Sequence, residues 1–171
     1  MGNLKNVNLD VAKFALGCVE NVINKKSNVE CDKKYKIDKN NEINSNKYKT
    51  LVKKMPTLIQ KNGFMNTLVF NLSKTKNKEH SEVLKNIIEW TNENCKISNI
   101  KEFREKNINF ENVYENISED MFMKYIKWIT SLTQSEYRLI TKEMINLFSW
   151  IKRFADGMIE EKEDEISEGE E

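Results

Sequence analysis

Few side chains in this 171-residue sequence are of the types that perform catalysis or hold a metal. The one histidine, His80, stands in the stretch 79–82, and the three cysteines, Cys18, Cys31 and Cys95, are scattered without a C-x-x-C pair. A zinc site needs several nitrogen or sulfur ligands at suitable spacing, and a disulfide framework needs paired cysteines. We therefore expect no metal, no cofactor and no disulfide. We expect His80 to be exposed or in a helix N-terminus, and the cysteines to be small core residues.

The sequence also lacks the motifs that bind nucleotides or build a nucleophilic serine. It contains no G-x-x-x-x-G-K-[ST], no G-x-G-x-x-G and no G-x-S-x-G. The carboxylate pair Glu119-Asp120 follows Ser118 at a predicted helix start, where capping and the helix dipole explain it. The prediction is a protein that is not an enzyme and has no small-molecule substrate.

The pattern that does indicate a ligand is a row of basic residues near the C-terminus. On a helix from about Ser135 to Ile159, the side opposite the apolar arc centred on Ile151 carries four bases: Arg138, Lys142, Lys152 and Arg153. The row is about 23 Å long at 1.5 Å per residue, so it can follow a nucleic-acid backbone. Trp150, between the two arcs, could stack on a base or contact another subunit. A solvated helix face with Trp150 at the rim of the core is the alternative.

The net charge of +1 conceals a strong asymmetry along the chain. The last twelve residues, 160–171, hold eight acids and one lysine, a charge of −7, so the rest of the chain carries +8. Residues 25–61 alone contain eleven lysines and four acids. A basic body suggests a polyanionic partner, although a lysine-rich solvated surface would have the same composition.

The elements that must position these residues are helices. Glycine and proline together number only six, too few for the tight turns of a many-stranded β fold. Apolar residues recur at helical spacing from Leu4 to Ile23, and we expect further helices over about 46–61, 64–72, 81–95, 108–117, 118–132 and 135–159. The prediction is an all-α fold, a compact bundle of about six to eight helices with a long C-terminal helix.

Pro56, Gly63 and the apolar stretch 64–72 support further structural predictions. Pro56 either kinks the second helix or opens a new helical segment, and Gly63 is expected as a left-handed C-terminal cap. The helix over 64–72 is apolar on nearly every face, which predicts a place in the middle of the core.

The domain organisation follows from these patterns. Residues 1–159 are expected to form one helical domain with a polar connection at 28–46, and residues 160–171 an acidic, disordered tail. The sequence contains no signal peptide and no long apolar run, which predicts a cytoplasmic protein without membrane contact.

Two sequence blocks resemble a known family. Residues 54–64, KMPTLIQKNGF, followed by TLVF at 67–70, resemble its K-x-P-x-x-I-x-x-N-G-L…T-L-A-F block, with Phe64 where leucine is usual. Residues 137–157, which begin Tyr-Arg and contain WIKRFADG, resemble its Y-R-x-x-T-x-E…W-L-K-R-F-A ending. The family is the small, all-helical fifth subunit of the Cmr complex, the type III-B CRISPR effector of antiviral defence. The resemblance covers about 140 residues and excludes the acidic tail.

The resemblance implies a non-catalytic subunit. Its copies would stack into a minor filament beside the other Cmr subunits and support the crRNA–target RNA duplex through basic residues. It makes RNA-binding candidates of Lys54, Lys61, Arg138, Lys142, Lys152 and Arg153. It makes structural positions of Pro56, Gly63, Tyr137, Trp150 and Phe154. The alternatives are a purely structural protein–protein interaction module without RNA contact, and the small subunit of the type III-A complex. Arg138 could instead pair with Glu143 or another acid inside the bundle.

Overall fold

A computed structural model describes residues 7–31, 43–94 and 119–160 of the chain. These residues form six helices: α1 (Val7–Cys31), α2 (Ser45–Asn62), α3 (Phe64–Leu72), α4 (Lys78–Asn94), α5 (Glu119–Ser131) and α6 (Gln134–Met158). The all-α prediction and the long C-terminal helix are confirmed. The predicted helix at 108–117, the cap at Ser118 and the acidic tail beyond Glu160 lie outside the described residues. No helix among the described residues is long and apolar enough to cross a membrane.

All six helices contribute buried residues to one core, and α6 lies against most of it. Helix α6 makes its most extensive contacts with α2 and α1, and it buries one stripe of apolar residues, Ile140, Met144, Leu147, Phe148, Ile151 and Ala155. These residues recur at three- and four-residue intervals, so they share one face of the helix. The other 19 residues of this 25-residue helix are thereby left at the rim or on the surface.

Helix α6 begins with a capping box that the sequence analysis did not identify. The Thr133 hydroxyl accepts a hydrogen bond from the Glu136 backbone N–H at 3.3 Å, and the Glu136 carboxylate accepts one from the Thr133 N–H at 2.9 Å. The sequence Thr133-Gln-Ser-Glu136 carries the T-x-x-E signature of this cap. The helix therefore starts at Gln134, one residue before the expected Ser135.

Helix α2 continues through Pro56 to Asn62. Proline has no N–H to donate inside a helix, yet no new segment opens at Pro56. Gly63 ends the helix with φ +83° and donates its N–H to the Ile59 carbonyl at 3.0 Å. The predicted positive φ is present, but ψ is 158°, outside the left-handed helical region, because α3 starts at the next residue and the chain must turn sharply.

The prediction that α3 lies in the middle of the core is wrong. Phe64, Thr67, Leu68 and Asn71 are buried, but Val69 and Phe70 are 48% and 39% exposed. The polar residues can be buried on the inner side because their donors are satisfied: Thr67 donates to the Gly63 carbonyl and Asn71 to the Thr67 carbonyl. An all-apolar pattern did not show which side of this short helix would face solvent.

The single histidine and one cysteine lie where the sequence predicted. His80 is in the first turn of α4. Cys18 lies on α1 and is buried in the core. Burial raises the pKa of the Cys18 thiol, and nearby carboxylates, Glu89 first, add to the effect. The side chains of Cys31 and Cys95 lie outside the described residues.

Candidate nucleic-acid interface

Helix α6 presents its four predicted basic residues to solvent. Arg138, Lys142, Lys152 and Arg153 are all exposed, on the side of the helix away from the buried stripe. Within the described residues none of them forms an ion pair. The possible pairing of Arg138 with Glu143 is therefore not observed. An exposed guanidinium or ammonium group of this kind keeps its donors available for a phosphate oxygen.

Helix α2 adds a second row of lysines. Lys54 and Lys61 are exposed, and so is Lys47, which the sequence analysis did not single out. The three are spaced by seven residues, close to two helical turns, so they lie along one line on the helix surface. The buried residues Tyr48, Val52, Met55 and Ile59 occupy the opposite side. Extending the seven-residue spacing of Lys54 and Lys61 by one step toward the N-terminus would have identified Lys47.

Three polar contacts fix α2 and α6 side by side and antiparallel. The Lys49 ammonium donates to the Ile159 carbonyl at 2.8 Å, and Lys53 pairs with Asp156 at 3.0 Å. Near the opposite end, the backbone N–H of Met65, just beyond α2, donates to the Tyr137 hydroxyl at 3.0 Å. The start of α2 therefore lies beside the end of α6, which places Lys61 near the end that holds Arg138 and Lys54 near the end that holds Lys152 and Arg153.

The basic residues of the two helices share one surface. Lys53 and Asp156 are about half-exposed, so their ion pair bridges the helices at the surface. Arg138 is eighteen residues, or five full turns, before Asp156, and Lys152 is one turn before it, so all three lie on one side of α6. We call this surface the α2–α6 basic face, and it consists of Lys47, Lys54, Lys61, Arg138, Lys142, Lys152 and Arg153.

Acidic residues are concentrated on α4, which packs on the inner side of α2. Asn86 of α4 donates to the buried Tyr48 hydroxyl at 2.8 Å, so α4 lies on the side of α2 opposite its lysine row. Helix α4 carries Glu79, Glu82, Glu89 and Glu93. Glu82 pairs with Lys25 at 2.9 Å and Glu89 with Lys85 at 3.7 Å, while burial raises the pKa of Glu89. Most of these acids are thus buried or paired, whereas the cations of the α2–α6 basic face are exposed.

The predicted structural residues lie between this face and the core. Tyr137, Trp150 and Phe154 are partly buried and pack against the core, and Pro56 is also half-buried. The Trp150 ring stacks on Phe154 with centroids 6.0 Å apart, and the Arg153 guanidinium lies 5.1 Å from its centroid. These contacts favour Trp150 as a rim residue of the core over an open platform for a base. The contact with the Trp150 ring also holds the Arg153 side chain against the helix.

The described residues contain no group of three or more histidine, cysteine, aspartate or glutamate side chains that could hold a metal ion. The exposed cations of the α2–α6 basic face can attract and align a polyanion through phosphate contacts, which carry no sequence information.

The chain was compared with models of known protein families. The model described as CRISPR-associated protein (Cas_Cmr5) matches residues 7–158, which is most of the chain. The chain therefore belongs to the CRISPR-associated Cmr5 family, the small subunit of type III-B Cmr complexes. The matched range ends before the acidic tail.

Proposed function

We propose that this Cmr5-family chain is a non-catalytic subunit whose α2–α6 basic face lies along the RNA backbone of the Cmr ribonucleoprotein. The observation that carries the proposal is the array itself: seven exposed cations on two helices that are fixed side by side by ion-pair and hydrogen-bond contacts. Helix α6 is about 37 Å long at 1.5 Å per residue. A face of this length covers several phosphates of a crRNA–target duplex.

Within the complex, several copies are proposed to stack into a minor filament that supports the duplex, while other subunits perform cleavage. Exposed apolar residues on α3, Val69 and Phe70, provide surface for a protein neighbour. The type III-A small subunit is no longer an alternative, because the matching family is that of the type III-B complex. The remaining alternative is an interaction module whose cations meet acidic patches of neighbouring proteins and never touch RNA.

Fluorescence anisotropy with labelled single-stranded RNA and an RNA duplex tests the RNA contact. The variant Lys142→Glu/Lys152→Glu/Arg153→Glu is compared with the native chain between about 50 and 300 mM salt. Each lost phosphate contact lowers the log–log salt slope for single strands by about 0.7, so the slope should fall by about 2. Affinity at the lowest salt should fall by about ten-fold or more.

The matched control is Lys13→Glu/Lys76→Glu/Lys78→Glu, which changes net charge equally at exposed lysines outside the basic face. Its salt slope should stay close to that of the native chain. Equal losses in both triple variants would mean that net charge alone governs binding. If the native chain binds neither RNA at about 50 mM salt, the interaction-module alternative replaces the proposal.

A further inference from the structure

The end of α6 is held firmly against the start of α2, and this fixes where the acidic segment beyond it begins. Ile159 is buried and donates its N–H to the Ala155 carbonyl at 3.1 Å. Its own carbonyl accepts from Lys49, a lysine that is only 6% exposed. The Lys53–Asp156 pair fixes the preceding turn. Residue 160 therefore leaves the bundle at the edge of the α2–α6 basic face.

The segment that follows complements this face in charge. Residues 161–171 contain seven acids and one lysine, a charge of −6, whereas the basic face contains seven cations. The described carboxylates beside the face are Asp156, which is paired with Lys53, and Glu160 at the root of the segment. Glu136 and Glu143 also lie on α6, where Glu136 belongs to the capping box. Among the described residues, none of the seven cations of the basic face forms an ion pair.

The segment is also long enough to cover the face. Eleven residues in extended form span at most about 36–40 Å, and α6 is about 37 Å long. A chain that starts at residue 160 can therefore run back beside α6 as far as Arg138 and Lys61. Because the segment is covalently attached beside the face, its effective concentration there is in the millimolar range, which makes even weak ion pairing substantial at low salt.

We propose that the acidic segment 161–171 binds the α2–α6 basic face of its own chain and competes with RNA for it. The segment presents a line of carboxylates where a nucleic acid would present phosphates. It opposes loose, non-specific RNA binding by the free chain, and a duplex with many phosphates displaces it on assembly. The contact between segment and face stands independently of the proposed RNA function, while the competition rests on it.

Zero-length carbodiimide crosslinking of the full chain tests the contact without RNA. The reagent joins a carboxylate to a lysine that touches it, so peptides from 161–171 should be linked to Lys54, Lys61, Lys142 or Lys152 at about 50 mM salt. These links should weaken several-fold at about 300 mM salt, where charges are screened within a shorter distance. Lys13, Lys76 and Lys78, exposed outside the face, are the matched control and should remain unlinked.

A mixture of isotopically light and heavy chains shows which chain the segment binds. Links within one chain carry a single isotope label, as the proposal requires. In an equal mixture, links between two chains carry both labels in about half of the cases, so a mixed-label share near one half would assign the segment to a second copy and overturn the proposal. Links spread evenly over the control lysines, or no links at low salt, would also overturn it.

Competition is measured with a variant in which every carboxylate side chain of 161–171 is changed to its amide. At about 50 mM salt this variant should bind RNA about five-fold more tightly than the native chain, with the ratio approaching one near 300 mM. Equal affinities would overturn the competition even where crosslinks form. If neither chain binds RNA, the RNA function fails, and the crosslinks alone decide whether the segment contacts the face.

Discussion

At the scale of single residues, the contact between Asn71 and His80 joins α3 to α4. Asn71 is fully buried, and its amide nitrogen donates to the Thr67 carbonyl and lies 3.6 Å from the Met55 sulfur. Its amide oxygen therefore accepts, and His80 Nδ1 at 2.8 Å must carry the hydrogen. A buried polar residue of this kind is tolerated because its donor and acceptor are both satisfied. The contact assigns His80 a structural part.

His80 should make stability depend on pH below neutrality. Burial lowers the pKa of His80 from its ordinary value, Lys74 lowers it further, and Glu79 opposes them. The unfolded chain then binds the proton more readily, so the free energy of unfolding should decrease as the pH falls below about 6.5. In His80→Asn, whose amide can replace the Nδ1 donor, this component should be absent.

Urea unfolding between about pH 5 and 7.5 measures the effect as the difference between the native chain and the variant, so that all other groups cancel. The native curve should fall more steeply toward acid than the His80→Asn curve. Parallel curves would show that protonating His80 costs the folded state nothing.

At the scale of elements, alanine substitutions at two glycines should change the stability of the protein in opposite directions. Gly63 joins α2 to α3 at φ +83°, where an L-residue is strained, so Gly63→Ala should destabilise the protein by about 1–2 kcal/mol. Gly17 lies inside α1, with nothing within 4 Å of an added Cβ. Gly17→Ala should therefore stabilise it by about 0.5–1 kcal/mol. Denaturant midpoints at equal m-values measure both, and a stabilising Gly63→Ala would contradict the strain at this turn.

The elements also show what the sequence could and could not predict. The periodicity of α6 predicted its buried stripe and its exposed bases, because amphipathic spacing is a local property. The position of Pro56 left open whether it would kink the second helix or open a new segment, and the structure has one helix from Ser45 to Asn62. The apolar pattern of α3 was misleading, because a helix with apolar residues on nearly every face has no preferred inner side by periodicity. The polar residues Thr67 and Asn71 are buried there with their side-chain donors satisfied.

For the same reason, only part of the candidate site could be predicted from the sequence. Each basic row could be predicted on its own helix, although Lys47 was missed. That the two rows lie on one surface depends on Lys53–Asp156, Lys49–Ile159 and the Tyr137 contact. These join positions 72 to 110 residues apart, and no local pattern determines them.

At the scale of the whole molecule, the α2–α6 basic face gathers seven exposed cations, whereas most of the described acids of α4 are buried or paired with lysines. An array of exposed cations orients the molecule in the field of a polyanion and speeds its encounter with one at low salt. The exposed large apolar residues include Leu9, Met123, Leu139 and Met158, none of which is next to another in the sequence, and scattered residues of this kind are ordinary for a protein surface. Val69 and Phe70 are adjacent and exposed together on α3.

The Val69–Phe70 pair is therefore the surface where a protein neighbour in the complex is expected. The Phe70 ring is already positioned by Lys74, whose ammonium lies 4.3 Å from its centroid, and by the edge of His80. A fixed aromatic side chain loses little entropy when a partner covers it. Val69→Asp/Phe70→Asp should reduce recovery of this chain with co-expressed Cmr subunits by about ten-fold or more, as the loss of a central apolar contact does.

Because both residues are exposed, the double variant should keep the helical circular dichroism of the native chain and its RNA affinity should fall little. Leu9→Asp, at an exposed leucine on α1 rather than α3, is the matched control and should assemble normally. Separate losses, of assembly in the α3 variant and of RNA binding in the α6 variant, would show that the molecule uses its apolar patch for protein and its basic face for nucleic acid. Full assembly of the α3 variant would instead mean that neighbouring subunits are held through charge, and the basic face would then be the first place to look for them.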